Sequence, residues 1–339
     1  MLIDDNSAGI LIAGAGIVGL ALALELDARG IKVTVLERGD ALAQASTAAA
    51  GMLAVHDPDN PRELLELSEY SAELYPEFVA RLERLSGLVV PMQTESTVQY
   101  LREGGTMELR EHSVDPGHLA PALVAAVRAR GIELREGVEV VSTRRGVDGR
   151  EVVAASGEVF RARVVVFATG AWECADCMRG LVKPTKGQLM RVQLPEALKD
   201  LRQVHRRGHT YVIPRLLGPQ AGSAIVGATV EYAGFDTETH EGDLVELRRA
   251  AAELLPALGE ADAAPMIEAW AGVRPMTADG MPLLGTSQVA GEFYAVGHGR
   301  NGILLAPATA VVMADLIEGK KPAVDVARFS AERFAVASW

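Results

Sequence analysis

The chain has 339 residues, of which 49% are hydrophobic and 23% are charged, a composition typical of a globular protein with a large core. Its formal net charge of −12 argues against nucleic acid or an anionic membrane surface as a partner, because both are bound by basic surfaces. The apolar N-terminal run carries Asp4 and Asp5 where a signal peptide has its basic flank, and glycines interrupt it. We therefore expect a cytoplasmic protein without a membrane span.

The first forty residues predict a strand, a glycine turn, a helix and a second strand. "GILIA" is a short apolar strand, "GAGIVG" is the turn, and the following helix ends at Gly30. Gly14, Gly16 and Gly19 form a GxGxxG pattern, and Glu37 ends the second strand, "KVTVLE". A helix N-terminus at such a turn binds a pyrophosphate, and the acidic residue accepts hydrogen bonds from a ribose. We predict a dinucleotide site.

The middle of the chain predicts further helices and strands. Apolar residues recur at helical spacing from about Pro61 to Ser86, despite Pro76. A second helix has Asp115 as its predicted N-cap and ends at Gly131. "TVQYL" and "TMELR" read as short strands, and "GVEVVST", "EVVAAS" and "RARVVVFATG" as strands of the nucleotide layer.

The character of the sequence changes after residue 183, where longer strands such as "GQLMRVQL", "HTYVIPR" and "SAIVGATVEY" predict an antiparallel sheet. One helix is predicted from about Asp243 to Leu255, and the C-terminal part reads as strand, strand and helix. The predicted fold is α/β, a Rossmann-type FAD-binding domain interrupted by an antiparallel-sheet substrate domain. We assign 1–84, 114–176 and 271–339 to the first domain, and 85–113 and 177–270 to the second.

Three later segments favour FAD over NAD. "QASTAAAGML" offers small residues and backbone amides where a longer cofactor continues toward its ring, and "RVVVFATGAW" ends a strand in Thr169 and Gly170 beside the nucleotide. "GHGRNGILLAPATA" predicts a helix whose amide end faces a flavin's N1–C2=O edge, with Pro307 in its first turn. The two cysteines, Cys174 and Cys177, cannot complete a zinc site, so no metal is expected. Two ordinary thiols are the first interpretation, and a local disulfide is the alternative.

These motifs resemble the D-amino-acid oxidase family of FAD-dependent oxidoreductases, and within it the glycine oxidase branch. The resemblance covers nearly the whole chain, and its specific parts are "WAGVRPMTADGMPLLG" and "GHGRNGILLAPATA". It implies a noncovalent FAD and oxidation of glycine or another small amino acid or amine by hydride transfer to flavin N5. The products implied are an oxo acid, ammonia and hydrogen peroxide. The partners implied are the small substrate and oxygen, and a homo-oligomer is compatible with the sequence.

The resemblance also implies roles for individual residues. Arg274 would hold the substrate carboxylate, Tyr211 would hydrogen-bond it, and Arg300 would lie at the flavin's pyrimidine edge or the mouth of the site. His209, Met52 and Val230 would line the substrate pocket. The residues expected to contact the cofactor are Gly14, Gly16, Ile17, Val18, Gly19, Glu37, Arg38, Ser46, Thr47, Ala49, Ala50, Gly51, Met52, Val140, Thr169, Gly170, Trp172, His298, Arg300, Asn301, Gly302 and Ile303.

The residue types agree with these roles, although alternatives stay open. Arg274 lies in an apolar stretch, where a bidentate carboxylate offsets the cost of burying its guanidinium, and a structural salt bridge is the competing interpretation. We expect His209 and Tyr211 to alternate on one strand and share a face. The competing interpretations are a purely structural hydroxyl for Tyr211 and a surface histidine at the start of the strand for His209. Val230 stands where the glycine oxidase pattern has a methionine, and the loop "AVHDPDNPRE" also differs. Both departures concern the size of the substrate.

The sequence also leaves other functions open. Within the family these are oxidation of N-methylglycine (sarcosine) or of a larger D-amino acid, and a dehydrogenase with another electron acceptor. In a different class, the chain would be a non-enzymatic dinucleotide-binding protein.

Overall fold

The computed structural model describes residues 7–173 and 178–337. The helices are α1 (Ile17–Ala28), α2 (Ala45–Ala48), α3 (Leu65–Ser86), α4 (Pro116–Ala129), α5 (Glu241–Leu254) and α6 (Gly302–Ile317). The strands are β1 (Ser7–Ala13), β2 (Val33–Leu36), β3 (Met92–Thr94), β4 (Thr97–Tyr100), β5 (Thr106–Leu109), β6 (Ser113–Val114), β7 (Glu133–Arg135), β8 (Val140–Arg145), β9 (Arg150–Ala154), β10 (Val159–Phe167), β11 (Lys183–Gln193), β12 (Val204–Arg207), β13 (Thr210–Pro214), β14 (Ser223–Gly227), β15 (Met266–Met276), β16 (Leu283–Thr286) and β17 (Glu292–Val296). Asp4, Asp5, Cys174 and Cys177 lie outside the described residues.

The first sheet is the predicted nucleotide layer. Its order is β16-β17-β10-β1-β2-β7, and β1, β2, β7, β10 and β17 run parallel. One edge of β10 pairs with β1, while the other pairs first with the antiparallel β9 and then with β17. Strand β8 extends the β9 side as a hairpin. The parallel strands end at the same edge, so their carboxyl ends and the loops that follow lie together.

Helices α1, α3, α4 and α6 share one apolar core on a face of this sheet. Both α1 and α6 are buried on nearly every side, as expected for helices whose sequences have apolar residues on all faces. The segment Gly299–Ile317 has a mean hydropathy of 1.3 and would pass for a membrane span by length and composition. Within the fold 67% of it is buried, which is the behaviour of a core helix.

The prediction that Pro307 lies in the first turn of α6 is wrong, because the helix begins at Gly302 and Pro307 lies inside it. Proline cannot donate to the carbonyl four residues earlier. The Tyr75 hydroxyl donates to that carbonyl, on Ile303, at 3.1 Å. The Ser71 hydroxyl donates to the Leu304 carbonyl at 2.6 Å and accepts from the Ala308 N–H at 3.1 Å. Helix α3 therefore supplies the hydrogen bonds that α6 lacks.

The second sheet has the order β15-β11-β14-β13-β12-β4-β5, and its strands are antiparallel except for β12 and β4. Helix α5 packs on one face with a core of its own. The other face carries a smaller apolar cluster that includes Leu189, Ile213 and Ile225. The cluster also contains Ala50, which belongs to the α2 segment, defined here as residues 45–52. Strands β3 and β6 form a separate pair.

The mixed α/β fold with a Rossmann-type sheet and an antiparallel sheet confirms the predicted fold class. Asp115 is the N-cap of α4 as expected, and its carboxylate accepts from the Gly117 N–H at 2.9 Å. The predicted boundary between residues 270 and 271 falls inside β15, which belongs wholly to the second sheet. The division into domains remains a prediction.

Candidate active site

A cavity with about 1640 Å³ of atom-free space, counting the open solvent at its mouth, lies between the two sheets. Its walls are the start of α1, the α2 segment, the inner face of β11 and β15, and the start of α6. The predicted site residues that line it are Gly16, Ile17, Val18, Ser46, Ala49, Ala50, Gly51, Met52, Gly170, His209, Tyr211, Val230, Arg274, His298, Arg300, Asn301, Gly302 and Ile303. The fold thus brings together segments that are separated by up to 287 positions in the sequence, from Gly16 to Ile303.

The glycine turn is packed so tightly that side chains are excluded at two of its positions. Gly14 has a φ of 109°, and a Cβ there would lie 2.4 Å from the Ala168 carbonyl oxygen. A Cβ on Gly19 would lie 2.0 Å from the Gly14 carbonyl oxygen. These two glycines let α1 and β10 approach, whereas Gly16 faces the cavity. This is the division of roles expected of a dinucleotide turn.

Two helix N-termini open on the cavity. The N-cap residues of α1 and α6, Gly16 and Asn301, have no side-chain capping hydrogen bond. The first N–H groups of a helix need partners and carry partial positive charge. The Ile17 N–H is partly satisfied by the Ser46 hydroxyl at 3.0 Å. The arrangement offers two sets of amide donors to an anionic or carbonyl-bearing ligand.

The other predicted cofactor residues are not among those that line the cavity, namely Gly14, Gly19, Glu37, Arg38, Thr47, Val140, Thr169 and Trp172. The Glu37 carboxylate accepts from the Ala15 and Gly39 N–H groups at 2.8 and 3.0 Å and so fixes the glycine turn. The Arg38 guanidinium lies 3.9 Å from the ring centroid of Trp172, which stacks on Phe235 at 5.2 Å. Thr47 donates to the Leu42 carbonyl, and Val140 is buried in the core behind the sheet. The Thr169 hydroxyl oxygen is buried without a hydrogen-bond partner in the described part of the chain.

Arg274 and Tyr211 lie together in the cavity, and glycines make the space for both. Nη1 of Arg274 donates to the carbonyl oxygens of Thr229 at 3.1 Å and Lys186 at 3.4 Å. A Cβ on Gly187 would lie 2.1 Å from Nη2 of Arg274, and one on Gly227 would lie 2.4 Å from the Tyr211 hydroxyl oxygen. Within residues 7–173 and 178–337, no carboxylate pairs with Arg274, so the competing structural salt bridge is not found there.

Burial raises the pKa of the Tyr211 hydroxyl, while the hydrogen bond and positive charge of Arg274 act in the opposite direction. The net direction is upward, so the phenol stays protonated at neutral pH and can donate a hydrogen bond. A charged guanidinium and a phenolic donor side by side form a binding site suited to one carboxylate.

The predicted pocket residues His209, Met52 and Val230 also line the cavity. The expectation that His209 alternates with Tyr211 on a strand is wrong, because His209 is exposed in the turn before β13. The turn forms at Gly208, whose φ of 56° suits glycine. Val230 is 42% exposed and lies at the rim.

His298 is less available to a ligand than the sequence suggested. Its side chain is buried, and Nε2 lies 3.0 Å from the Thr309 hydroxyl oxygen on α6. Burial lowers the pKa of His298 to about 4, so the imidazole is neutral at physiological pH. We conclude that His298 holds the start of α6 as well as lining the cavity.

An ionic network at one end of the cavity was not predicted from the sequence. Arg206 is 1% exposed, donates from Nε to Gln99 at 2.7 Å, and places Nη1 3.3 Å from Glu111 and 3.7 Å from Asp57. Asp57 also lies 3.3 Å from Nη2 of Arg300. Alternation with the buried Val204 on β12 is the signal that would have placed Arg206 inside.

A second buried arginine supports the cofactor segment. Arg215 donates from Nη2 to the Ala50 carbonyl at 2.9 Å, and its Nε lies 3.5 Å from the Asp115 carboxylate. Trp270 donates from its indole nitrogen to the Ala48 carbonyl at 3.0 Å. The second sheet therefore holds the α2 segment at two points.

A noncovalent FAD fits these residues. The glycine turn leaves space that a Cβ would fill, the two helix N-termini offer amide donors, and the Thr169 hydroxyl is buried and unpartnered among the described residues. No group of three or more His, Cys, Asp or Glu side chains in the described ranges is arranged to hold a metal ion.

Comparisons with known proteins agree with this geometry. The sequence pattern of the DAO family, described as FAD dependent oxidoreductase, matches residues 9–108 and 91–316. The chain is 34% identical to a bifunctional protein ThiO/ThiG of Trichormus variabilis, with 96% of this chain and 55% of that protein covered. It is 31% identical to a glycine oxidase of Pseudomonas aeruginosa, with 95% and 98% covered.

Among solved structures, the glycine oxidase of Geobacillus kaustophilus matches with a TM-score of 0.86 and 29% identity over 95% of this chain and 97% of that one. The chain spans about half the length of the bifunctional relatives and nearly all of the glycine oxidases. The glycine turn, the two helix N-termini and these matches lead to one conclusion: the chain belongs to the DAO family of FAD-dependent oxidoreductases.

Proposed function

We propose that this protein oxidises glycine or another small amino acid, with FAD as its cofactor and oxygen as the final electron acceptor. The relatives named glycine oxidase support the substrate class, and the cavity supports it independently. The products are an oxo acid, ammonia and hydrogen peroxide. We also propose that the protein acts in the cytoplasm.

The observation that carries the proposal is the environment of Arg274. It is an arginine in a ligand-sized cavity with two carbonyl contacts, a neighbouring phenol and no carboxylate partner among the described residues. An arginine held in this way is costly unless a ligand supplies the negative charge. The carboxylate of an amino acid supplies it in a planar, two-point form.

The residues of this chain act by binding and orientation. The glycine turn and the start of α6 would hold the flavin, which would supply the acceptor for a hydride from the substrate Cα. Arg274 and Tyr211 fix the carboxylate, so the Cα–H is presented in one direction and little rotational freedom is lost in the reaction step. No side-chain base is required when the amine reacts in its neutral form. The N–H groups at the start of α6 would stabilise negative charge on a ring bound beside them.

Peroxide release across a panel of small amines and amino acids tests the proposal. Purified protein should be yellow, should release its cofactor on acid or heat denaturation, and should form peroxide with glycine. A glycine-dependent bleaching of the flavin without peroxide would replace the oxidase by a dehydrogenase with another acceptor. A colourless protein that binds NAD would favour the non-enzymatic dinucleotide-binding alternative. Preference for sarcosine or a D-amino acid would change only the substrate.

A further inference from the structure

Three arginines line the cavity, and they differ in how their charges are balanced. Arg206 is balanced by Glu111, whose Oε2 lies 3.3 Å from its Nη1. Arg300 is balanced by Asp57, whose Oδ1 lies 3.3 Å from its Nη2. Within the described ranges, Arg274 has no carboxylate partner. The cavity thus presents one uncompensated cation to an entering ligand.

Asp57 occupies the central place in this balance. Its side chain is 5% exposed and lies between Arg206 of the second sheet and Arg300 at the start of α6. The Asp59 N–H donates to Asp57 Oδ1 at 3.0 Å and fixes the carboxylate. Asn60 adds a second contact to Arg300, whose Nη2 donates to its Oδ1 at 3.1 Å. Arg300 is therefore turned toward this loop and its charge is neutralised there.

We propose that Asp57 determines specificity by cancelling the charge of Arg300, so that the cavity accepts amino acids with one carboxylate and rejects those with two. This inference rests on the proposed function. A second carboxylate in the cavity would need its own cationic partner, because a buried unpaired charge is strongly unfavourable. The guanidinium groups of Arg206 and Arg300 each already have a carboxylate oxygen at 3.3 Å that balances their charge, and the negative charge of Asp57 repels another anion.

The test uses two compounds of nearly the same shape that differ in one charge, namely iminodiacetate and its monoamide. The ratio of kcat/KM values is measured for peroxide formation by the holoenzyme. The native protein should prefer the monoamide at least tenfold. Asp57→Asn keeps the shape but frees Arg300, and it should shrink that preference at least tenfold. Asp57→Glu restores the charge and should restore the preference.

The matched control is Asp325→Asn, which removes a carboxylate from the protein surface. Asp325 is 61% exposed and pairs with Arg328 at 3.8 Å, so this variant should leave the ratio unchanged. Equal changes for both compounds in Asp57→Asn, or an equal shift of the ratio in Asp325→Asn, would overturn the inference. A native enzyme without preference between the compounds would overturn it as well.

A binding measurement on native holoenzyme needs neither turnover nor a folded variant. Malonate and malonamate are titrated while the flavin's visible absorbance is followed, and malonamate should bind at least tenfold more tightly. Equal or tighter binding of malonate refutes the charge selection. Failure of the proposed function is distinguishable, because it appears as no peroxide from any amino acid while this titration still reports whether the cavity rejects a second carboxylate.

Discussion

Replacement of Arg274 should separate substrates that have a carboxylate from those that lack one. In Arg274→Ala, the guanidinium that bonds the Thr229 and Lys186 carbonyls and is available to the substrate is lost. Truncating one member of a buried charge-assisted pair costs about 3–5 kcal/mol, which corresponds to a loss of roughly two to four orders of magnitude in kcat/KM. Arg274→Lys keeps the charge but not the two-point geometry, so its loss should be smaller and still marked.

The assay compares glycine with ethylamine, which has no carboxylate. Peroxide release gives kcat/KM for both compounds in the native protein and in each variant. Ethylamine should be a poor substrate of the native enzyme, and it should lose far less than glycine on mutation. FAD content should survive, because the glycine turn and the helix N-termini are untouched.

A matched control is Arg191→Lys, because Arg191 also lies on the second sheet but pairs with Glu268 at 2.6 Å. This variant should leave the ratio of glycine to ethylamine unchanged. Equal losses for the two compounds in Arg274→Ala would refute the reasoning. They would mean that Arg274 supports the fold or the flavin and that the carboxylate is held elsewhere.

Gly187→Ala should displace the Arg274 guanidinium and lower kcat/KM for glycine at least tenfold, with FAD retained. Gly242→Ala should leave kcat/KM unchanged, because a Cβ there meets nothing within 4 Å. Unchanged kinetics in both variants would contradict the packing argument. The pKa of His298 is about 4 in the folded protein and 6.5 for an unperturbed histidine, so the unfolded chain binds the proton more readily. The free energy of unfolding should therefore be highest above pH 6.5 and fall by about 3 kcal/mol toward pH 4. Denaturant titration of His298→Gln should show a flatter dependence of that free energy on pH. Val230→Met should raise the preference for glycine over D-alanine by about 1 kcal/mol in relative kcat/KM, because the longer side chain takes up space in the pocket. An unchanged preference would show that residue 230 does not limit the size of the substrate.

The sequence predicted the fold well because local and periodic signals decide it. The GxGxxG turn, the apolar strands and the capped helix after Asp115 each depend on neighbours within a few positions. The α6 start and the Arg274 strand were placed through resemblance, and the structure brings both to one cavity. The roles of the site residues remain predictions.

The sequence did not predict features that depend on distant partners. Arg206 lies among charged and polar neighbours in "VHRRGH", where alternation with Val204 is a weak signal, and its carboxylate partners Asp57 and Glu111 are far away in the sequence. His209 was misplaced because it is two positions from Tyr211, the spacing of residues on one face of a strand, although the strand begins only at Thr210. Pro307 was misplaced because the hydroxyls that permit it lie on α3, 233 and 228 positions from the carbonyls that they bond.

The hydrogen bonds between α3 and α6 also bear on when the chain can fold during synthesis. The hydroxyls of Ser71 and Tyr75 have their α6 partners only after Leu304 has been made, 233 positions after Ser71. Strand β17, which completes the parallel sheet, is also late. Long-range contacts of this kind are formed at a high cost in loop closure and slow the folding of a domain. We expect the nascent nucleotide-binding layer to acquire protection from proteolysis only when α6 has left the ribosome.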